Sequence, residues 1–435
     1  MDWLEIGNDP RGVPFRLPLC RSAAVTEGVL FSHANVLDVV AGSYLPDRFV
    51  LVRDGRIAEI SGVRPTWDGA AFDLKGRVLM PGLCDGHVHV TAIGADFATL
   101  ARTPPSYVTA RAALILRGML MRGFTTVRDA GGADYGLAQA VEEGLLSGPR
   151  ILFSGHALSQ TGGHGDVRGP GETGFGQCLC CAGFGLVVDG VDAVRRACRE
   201  EIRKGATQIK LMVSGGVASP TDRIDSTQFS EAEIRAAVEE AEAANIPVMA
   251  HAYTARAINR ALRCGVDSIE HGNLLDESSV ALFRKTEKFL VPTLSTYRAL
   301  ADEGLAAGMP PALHAKVFQV LDAGLQALER AHRGGVTLVY GSDLLGPMHR
   351  HQLLEFALRG EVQAPIEVIR AATVNAAALF RRGGDIGVVA PGARADLLVV
   401  QGDPLRDLAV LRDPERNLRA ILKDGVFVRN DLIDL

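Results

Sequence analysis

Short apolar runs separated by longer amphipathic stretches occupy the chain from about residue 78 to residue 382. Apolar runs bounded by turn residues are typical of buried strands, whereas apolar positions three or four apart are typical of helices. The predicted strands are residues 78–80, 125–129, 150–154, 208–213, 247–251, 268–271, 289–293 and 337–343. Helical patterns lie between them, and this alternation predicts a parallel sheet of an α/β protein. Eight such units predict a closed (β/α)8 TIM barrel.

Both ends of the chain show a different pattern, in which short strands follow one another through tight turns. Asp54-Gly55 between two apolar runs is a strong hairpin signal. Neither end is large enough to form a core alone, so we expect both to pack together as one small β-sandwich domain. The predicted division is residues 1–77 and 383–435 for the two parts of that domain and 78–382 for the barrel. Residues 1–20 carry three prolines and predict an irregular arm.

A pair of histidines follows the first apolar run of the barrel region. Successive side chains of an extended chain alternate, so His87 and His89 point to one face and can converge on one ion. Such a pair is common, and alone it is equally compatible with two ordinary histidines. Further polar residues end other predicted strands, namely Lys210, His251, His271 and Asp343. Side chains at the carboxyl ends of barrel strands face a common mouth, which predicts a metal site there.

Lys210 lies inside the apolar run Ile209–Val213, where a charged lysine is costly to bury. Its ammonium could reach solvent or a carboxylate. Alternatively, carbamylation by CO2 would convert the amine into a carboxylate that bridges two cations. Four histidines, Asp343 and such a bridge suit two divalent ions, with zinc favoured. Asp343 could also simply cap a helix. With two ions bound, the expected chemistry is metal-assisted hydrolysis, with Asp343 moving the proton to the leaving group.

Composition narrows the classes of function. The formal net charge of −5 argues against a general affinity for nucleic acid or acidic membranes. We see no basic segment followed by a long apolar core at the start, and no apolar run of the ~20 residues that span a bilayer. Seven cysteines in irregular spacing predict reduced thiols and a cytoplasmic location. Cys178, Cys180 and Cys181 lack the second pair that a structural zinc site needs.

The strand-end residues resemble the binuclear-metal members of the amidohydrolase superfamily. The matching stretches are Pro81-Gly-Leu-Cys-Asp-Gly-His87-Val-His89, Lys210, His251, Glu270-His271-Gly272, Gly341-Ser-Asp343 and Ala395-Asp396-Leu397. Within the superfamily, Thr161-Gly-Gly-His164-Gly-Asp166 and His251-Ala-Tyr253 resemble the branch near imidazolonepropionases and prolidase-like dipeptidases. Imidazolonepropionases lack the bridging lysine, so Lys210 favours the dipeptidase-like side.

The resemblance implies hydrolysis of Xaa–amino acid dipeptides or N-acyl amino acids, including bulky aromatic amides such as ochratoxin A. It also implies a homo-oligomer that acts on small molecules and binds neither nucleic acid nor membrane. One alternative is hydrolysis of another C–N or ester bond, in an aryl amide, urea, carbamate or lactone. An alternative of a different class is a non-catalytic barrel scaffold.

The same resemblance suggests which side chains contact the substrate. His164 would lie near the substrate carbonyl, and Tyr253 would contact the carbonyl or a carboxylate, although a plain loop histidine and a core tyrosine are the alternatives. Arg168, Arg223 and Arg298 are candidates to bind a substrate carboxylate, because a guanidinium pairs with it bidentately. Most arginines are simply solvated. The glycine-rich loop 159–188 is long enough to be a lid or a disordered segment.

Overall fold

The computed structural model describes residues 28–172 and 184–432, together with the backbone of residues 3–8 and 14–18. The described chain is an α/β protein with parallel sheets and a separate eight-stranded sheet. Cys178, Cys180 and Cys181 lie outside the described residues. Within the described ranges, no helix is both long and apolar enough to cross a membrane.

The strands are numbered in chain order. They are β1 (Trp3–Asn8), β2 (Pro14–Pro18), β3 (Val29–Asp38), β4 (Ser43–Arg53), β5 (Arg56–Ser61), β6 (Ala70–Asp73), β7 (Val78–Pro81), β8 (Leu83–Val88), β9 (Phe124–Asp129), β10 (Arg150–Phe153), β11 (Ala157–Ser159), β12 (Gly185–Val187), β13 (Ile209–Met212), β14 (Val248–Thr254), β15 (Ser268–Leu274), β16 (Phe289–Val291), β17 (Thr337–Leu338), β18 (Leu397–Val400), β19 (Leu418–Lys423) and β20 (Val426–Asn430).

The helices are numbered in the same way. They are α1 (Phe97–Leu100), α2 (Pro105–Met121), α3 (Tyr135–Glu142), α4 (Val191–Arg203), α5 (Glu231–Ala243), α6 (Ala255–Arg263), α7 (Glu277–Thr286), α8 (Leu294–Glu303), α9 (Pro311–Val317), α10 (Leu321–Arg333), α11 (Leu354–Gly360), α12 (Pro365–Ala371), α13 (Val374–Leu379), α14 (Ala409–Arg412) and α15 (Pro414–Asn417), and a 3-10 helix covers Gly346–His351.

Strands from both chain ends share the eight-stranded sheet, in the order β20-β19-β18-β7-β3-β4-β5 with β6 beside β3. Its buried face joins apolar side chains from both ends, such as Phe31, Val50 and Val399. The hairpin between β4 and β5 turns at Asp54 and Gly55, both with positive φ (50° and 73°), as a two-residue hairpin turn requires.

The chain passes from this sheet to the parallel strands at one glycine. β7 ends at Pro81 in the eight-stranded sheet, and β8 begins at Leu83 beside β9. A Cβ at Gly82 would lie 2.2 Å from the Thr125 hydroxyl, so the crossing requires glycine. We expected residues 78–80 to be the first strand of the barrel. That expectation is wrong, because residues 78–80 pair in the eight-stranded sheet, whereas His87 lies in the separate strand β8 and His89 directly follows it.

The parallel strands form two sheets, β10-β9-β8 and β12-β11-β13-β14-β15-β16-β17. Backbone hydrogen bonds join the sheets at both sides. The Gly86 amide donates to the Tyr340 carbonyl (2.7 Å), and the Asp343 amide donates to the His87 carbonyl (2.8 Å). On the other side, the Thr207 amide, just before β13, donates to the carbonyl of Phe153 in β10 (2.8 Å).

Alternation along the parallel strands separates core residues from site residues. In β13, Ile209 and Leu211 pack into the apolar layer beneath the helices, whereas Lys210 and Met212 line an internal cavity. The helices that cover the strands begin where the sequence supplies caps. Ser230 and Glu233 form a reciprocal capping box at the start of α5, which then buries Ile234, Val238 and other apolar side chains.

The N-terminal segment differs from the expected irregular arm. β1 and β2 pair antiparallel, with Trp3 opposite Pro18 and Leu4 opposite Leu17. Pro14 and Pro18 are the first and last residues of β2, and strand ends tolerate a residue without an amide donor. The prolines therefore mark the limits of a strand here instead of preventing one.

Candidate metal centre and catalytic cavity

A cavity of ≈ 660 Å³, counting its open mouth, lies at the carboxyl ends of the parallel strands. The predicted polar residues that line it are His87, His89, His164, Lys210, His251, Tyr253, His271 and Asp343. Aromatic and aliphatic side chains complete the described wall, including Phe97, Phe184, Tyr297, Leu300 and Leu345. The structure thus brings together residues from five strands and the glycine-rich loop, in a largely apolar setting that favours small-molecule binding.

Among the described residues, His87, His89 and Asp343 form a close cluster of potential metal ligands. Asp343 Oδ1 lies 3.4 Å from His87 Nε2 and 3.3 Å from His89 Nε2. One ligand atom from each of the three residues lies within 4.8 Å of the others. Two imidazoles and a carboxylate that converge in this way can hold one divalent ion.

Each of the four histidines predicted to bind metal uses one ring nitrogen for a supporting contact, which leaves the other nitrogen for a metal ion. The contacts are His87 Nδ1 to Glu270 Oε2 (2.7 Å), His89 Nδ1 to Gly131 O (2.9 Å), His271 Nδ1 to Thr293 Oγ1 (2.7 Å) and His251 Nε2 to Gly215 O (3.0 Å). A carbonyl can only accept, so it selects the tautomer with the proton on the nitrogen it faces. The donor set therefore fits divalent ions.

Burial sets the charge of these histidines. It holds the pKa values of His87, His251 and His271 well below the ordinary value, with neighbouring cationic groups adding to the effect. Burial also acts to lower the pKa of His89, but the hydrogen bond and charge of Asp343 outweigh it and raise that pKa. Neutral imidazoles are the form that ligates metals, so three of the four are ready to bind at neutral pH.

Lys210 is almost fully buried in the same cavity, between the histidines. Burial lowers the pKa of its amine to about 8, against the opposing charges of Glu270 and Asp343. Within the described chain, no hydrogen bond or ion pair to its Nζ is present. An unpaired buried lysine is expensive to keep charged, which favours an amine that reacts or binds in its neutral form.

Three strand-end residues at the cavity adopt a left-handed backbone. These are His271 (φ 75°), Thr293 (φ 51°) and Asp343 (φ 51°). In β15, regular alternation would send Glu270 and His271 to opposite faces, yet both side chains reach the interior. Non-glycine residues with positive φ are strained, and such strain clusters at functional sites because it aims side chains that a regular strand could not aim.

His164 enters the cavity from the glycine-rich loop. Its ring stacks on His251 with centroids 4.1 Å apart, and its Nδ1 lies 2.7 Å from Ser219 Oγ. A Cβ on Gly216 would lie 2.0 Å from the ring, so this close approach requires glycine. Burial lowers the pKa of His164 to about 3, with Lys316 and Lys210 contributing. The neutral ring therefore faces the cavity beside a metal-ligand candidate.

Asp222 organises the loop that supports His164. Its carboxylate accepts hydrogen bonds from Ser219 Oγ, Gly216 N (3.2 Å), Gln228 Nε2 (2.9 Å) and Lys316 Nζ (3.2 Å). Gln228 Oε1 also accepts from the His164 amide (2.9 Å), so one network holds both the backbone and the ring of His164. Asp222, Gln228 and Lys316 were not identified from the sequence, since nothing in the local pattern distinguishes them from ordinary polar groups.

Tyr253 lies against two of the histidines, with centroids 4.7 Å from His251 and 5.5 Å from His271. Its hydroxyl accepts a hydrogen bond from the Tyr297 hydroxyl (3.1 Å). Both tyrosines line the cavity, and contact between Tyr253 and a substrate stays a prediction. Tyr297 follows β16 in α8 and was not predicted, because its helix starts within a loop that the sequence pattern leaves undefined.

The three predicted arginines do not line the described wall of the cavity. Arg168 pairs with Asp166 (2.8 and 2.5 Å), beside Gly165 and Val167, which do line it. Arg223 is exposed and pairs with Asp225 (2.8 Å). Arg298 borders a separate surface groove.

Comparison with known proteins agrees with this arrangement. The model of the amidohydrolase family matches residues 78–428. A prolidase crystallised with N-methylphosphonate-L-proline is 50% identical, with a TM-score of 0.90 over 93% of this chain and 100% of its own. A Xaa-Pro dipeptidase with methionine in its active site is 27% identical, with a TM-score of 0.83 over 93% of this chain and 100% of its own.

Among curated proteins, ochratoxinase of Aspergillus niger is 34% identical over 359 residues, which are 78% of this chain and 73% of that protein. The family model covers most of the chain and includes the strands that carry the cavity's histidines, Lys210 and Asp343. This chain therefore belongs to the amidohydrolase family and is a metal-dependent hydrolase that acts on C–N bonds.

Proposed function

We propose that the protein hydrolyses the amide bond of N-acyl amino acids or Xaa–amino acid dipeptides, including those with a bulky aromatic group. The observation that carries the proposal is one cavity that combines five histidines, Lys210 and Asp343 with an aromatic and aliphatic wall. Phe97 and Phe184 pack with their ring centroids 4.8 Å apart and their planes tilted by 46°, beside His89, and they offer aromatic contacts to a substrate ring. The relatives named as a prolidase and an ochratoxinase support the same choice.

The metal site in this proposal takes two divalent ions, with zinc favoured. His87, His89, His251, His271 and Asp343 would hold them, and Lys210, carbamylated by CO2, would bridge them. When bound, such a pair supplies an activated water at neutral pH and polarises the bond under attack. The buried amine with its lowered pKa supports the carbamate, because only a neutral amine reacts with CO2.

The protein's own side chains then orient the substrate and move the proton. Asp343 is 17% exposed at the cavity and can accept a proton there and return it to the leaving nitrogen. His164 and Tyr253 flank His251 and would contact the group being cleaved. Apolar walls exclude bulk water, which strengthens each of these polar contacts.

The proposal includes the architecture that positions the site. We infer that the two parallel sheets form one closed (β/α)8 barrel, which the hydrogen bonds from Gly86 to Tyr340 and from Thr207 to Phe153 support. We also infer that the eight-stranded sheet is a small domain built from both chain ends, with boundaries near residues 82 and 383. Homo-oligomerisation and a cytoplasmic location remain predictions.

A second candidate is a neutral amide without a free carboxylate. It is favoured by the absence of arginine from the described wall of the cavity, since arginine is the usual partner of a substrate carboxylate. Arg168, Arg223 and Arg298 engage other partners or lie elsewhere, as described above. The two candidates differ in one measurable way, which is the effect of masking the carboxylate.

The deciding experiment compares N-acyl-L-prolines and N-acyl-L-phenylalanines as free acids and as methyl esters. We expect esterification to lower kcat/KM by about 10- to 100-fold, because a hydrogen bond to a charged group contributes about 1.5–3 kcal/mol. Equal rates for acids and esters would instead support the neutral-amide candidate. No hydrolysis of either series by zinc-loaded protein would contradict both.

Ser219→Ala tests the support of His164. Removing the hydroxyl leaves His164 Nδ1 without its 2.7 Å partner, and we expect kcat/KM to fall by about 3- to 10-fold, the value of one net hydrogen bond. Ser219→Thr, which keeps a hydroxyl, should retain most activity. Ser61→Ala is the control, since its exposed hydroxyl bonds only to the Val63 backbone, far from the residues that line the cavity. Wild-type kcat/KM in Ser219→Ala would mean that His164 needs no such support.

A further inference from the structure

Glu270 is a fully buried carboxylate that connects a metal-ligand candidate to a buried arginine. Its Oε2 lies 2.7 Å from Nδ1 of His87 across the interior, although the two residues belong to different strands. Its Oε1 accepts hydrogen bonds from Arg128 Nη2 (3.0 Å) and from Ser268 Oγ (2.5 Å). Neither Glu270 nor Arg128 exposes more than 1% of its side chain. Both oxygens of Glu270 are therefore occupied by protein groups.

Arg128 is fixed as firmly as the carboxylate it neutralises. Its Nε donates to the Gly86 carbonyl (2.7 Å), one residue before His87, and its Nη1 donates to Ser268 Oγ (3.1 Å). A buried charge is tolerated only when it is paired and hydrogen-bonded, and this pair meets both conditions. The ion pair is nevertheless costly compared with apolar residues of similar size, so its presence between ligand-bearing strands calls for a role beyond packing.

The contact between Glu270 and His87 fixes which nitrogen of the imidazole carries the proton. A carboxylate paired with a guanidinium accepts hydrogen bonds, so the proton between Glu270 and His87 belongs to Nδ1 of the imidazole. The Nε2 lone pair of His87 is then free on the side that faces Asp343, at 3.4 Å. A carboxylate behind a ligating histidine also makes the ring a stronger donor to the metal. His89, His251 and His271 bond to a carbonyl or a hydroxyl instead.

We propose that Glu270, held in place by Arg128 and Ser268, is a positioning residue that fixes His87 as an Nε2 ligand and tightens binding of one of the two metal ions. The inference rests on the metal centre proposed above. It assigns a function to the Glu270–Arg128 pair that differs from substrate contact, since neither residue lines the cavity. Its effect should fall on the ion bound through His87 and spare the other.

The experiment measures metal binding instead of activity. Holoenzyme purified with zinc and bicarbonate is dialysed against buffers of graded free Zn²⁺, and bound zinc per chain is counted by mass spectrometry. In Glu270→Gln, we expect the affinity for one ion to fall by about 10- to 100-fold. Glu270→Asp keeps the charge that pairs with Arg128 but withdraws the carboxylate from His87. It should show the same selective loss even if Glu270→Gln, with an unpaired buried Arg128, fails to fold.

Asp396→Asn is the matched control. It breaks another buried ion pair, to Arg150 at 2.9 Å, located at the amino end of β10, away from the cavity. It should lower the melting temperature without changing either zinc affinity. Wild-type zinc binding in the folded Glu270 variants, or an equal loss in Asp396→Asn, would overturn the inference. If wild-type protein itself binds no zinc, the proposed metal centre fails instead, so the two failures are distinguishable.

Discussion

Asp343→Asn is expected to lower kcat by about 10²- to 10⁴-fold when zinc is in excess, the usual contribution of a general acid–base group. The amide cannot accept and return a proton, although its oxygen can still occupy one ligand position. Asparagine suits the test because it tolerates the left-handed backbone that Asp343 adopts at φ 51°. The measurement is steady-state kinetics on the best N-acyl amino acid, together with zinc counted per chain.

Asp343→Ala separates the effect of the left-handed backbone on stability from the effect of the lost carboxylate on activity. Alanine in the left-handed region costs about 1–2 kcal/mol, so this variant should be less stable than Asp343→Asn while being similarly inactive. A zinc-loaded Asp343→Asn enzyme with kcat within a few-fold of wild type would remove Asp343 from proton transfer. It would leave the aspartate only as a ligand beside His87 and His89.

Lys210→Ala is expected to lower activity by at least about 10²-fold, because it would remove the proposed bridge between the two ions, whose Lewis-acid effect is worth several kcal/mol. The substitution also leaves space where the side chain was buried. Formate, acetate or propionate should enter that space and restore part of the activity, since each supplies the carboxylate that the carbamate would provide. The measurement is activity as a function of added short-chain acid.

Lys210→Met is the matched control, because its side chain fills the space and should block rescue. Without metal, Lys210→Met should be more stable than wild type, by about 1–3 kcal/mol in denaturant titrations, since it removes an unpaired buried amine. Loss of activity with a gain in stability is the pattern of a residue kept for function. Near-normal turnover in Lys210→Ala would exclude a carbamate bridge.

Much of the fold follows from local pattern. Each predicted strand from residue 125 onward overlaps an observed strand, because short apolar runs with turn residues at their ends describe buried strands well. The exception is the first strand. Residues 78–88 look like one strand and its end in the sequence, but the chain leaves one sheet at Pro81 and enters another after Gly82. The N-terminal strands β1 and β2 were missed because prolines at strand ends look like breaks.

The polar side chains of the cavity could be predicted from the sequence for a similar reason. Parallel strands bring their carboxyl ends to one side, and each of the six predicted ligands lies in such a strand or within five residues after it: His87, His89, Lys210, His251, His271 and Asp343. The arginine predictions had no comparable geometric basis, since Arg168 and Arg223 lie in loops and Arg298 lies in the helix α8, and none of them is in a parallel strand. Arg223 and Arg298 accordingly lie away from the cavity, and Arg168 turns to Asp166.

The sequence by itself determined the parallel α/β architecture and the histidine, lysine and aspartate side chains that line the cavity, because strand periodicity dictates which side chains share a face. Only the tertiary structure decided which other side chains hold these cavity residues in place through hydrogen bonds. Glu270 reaches His87 from a strand 183 positions away, and Lys316 reaches Asp222 over 94 positions. Such contacts depend on how distant strands and loops meet in space. No local pattern encodes them, because the free energy that selects them comes from packing and burial of the whole chain.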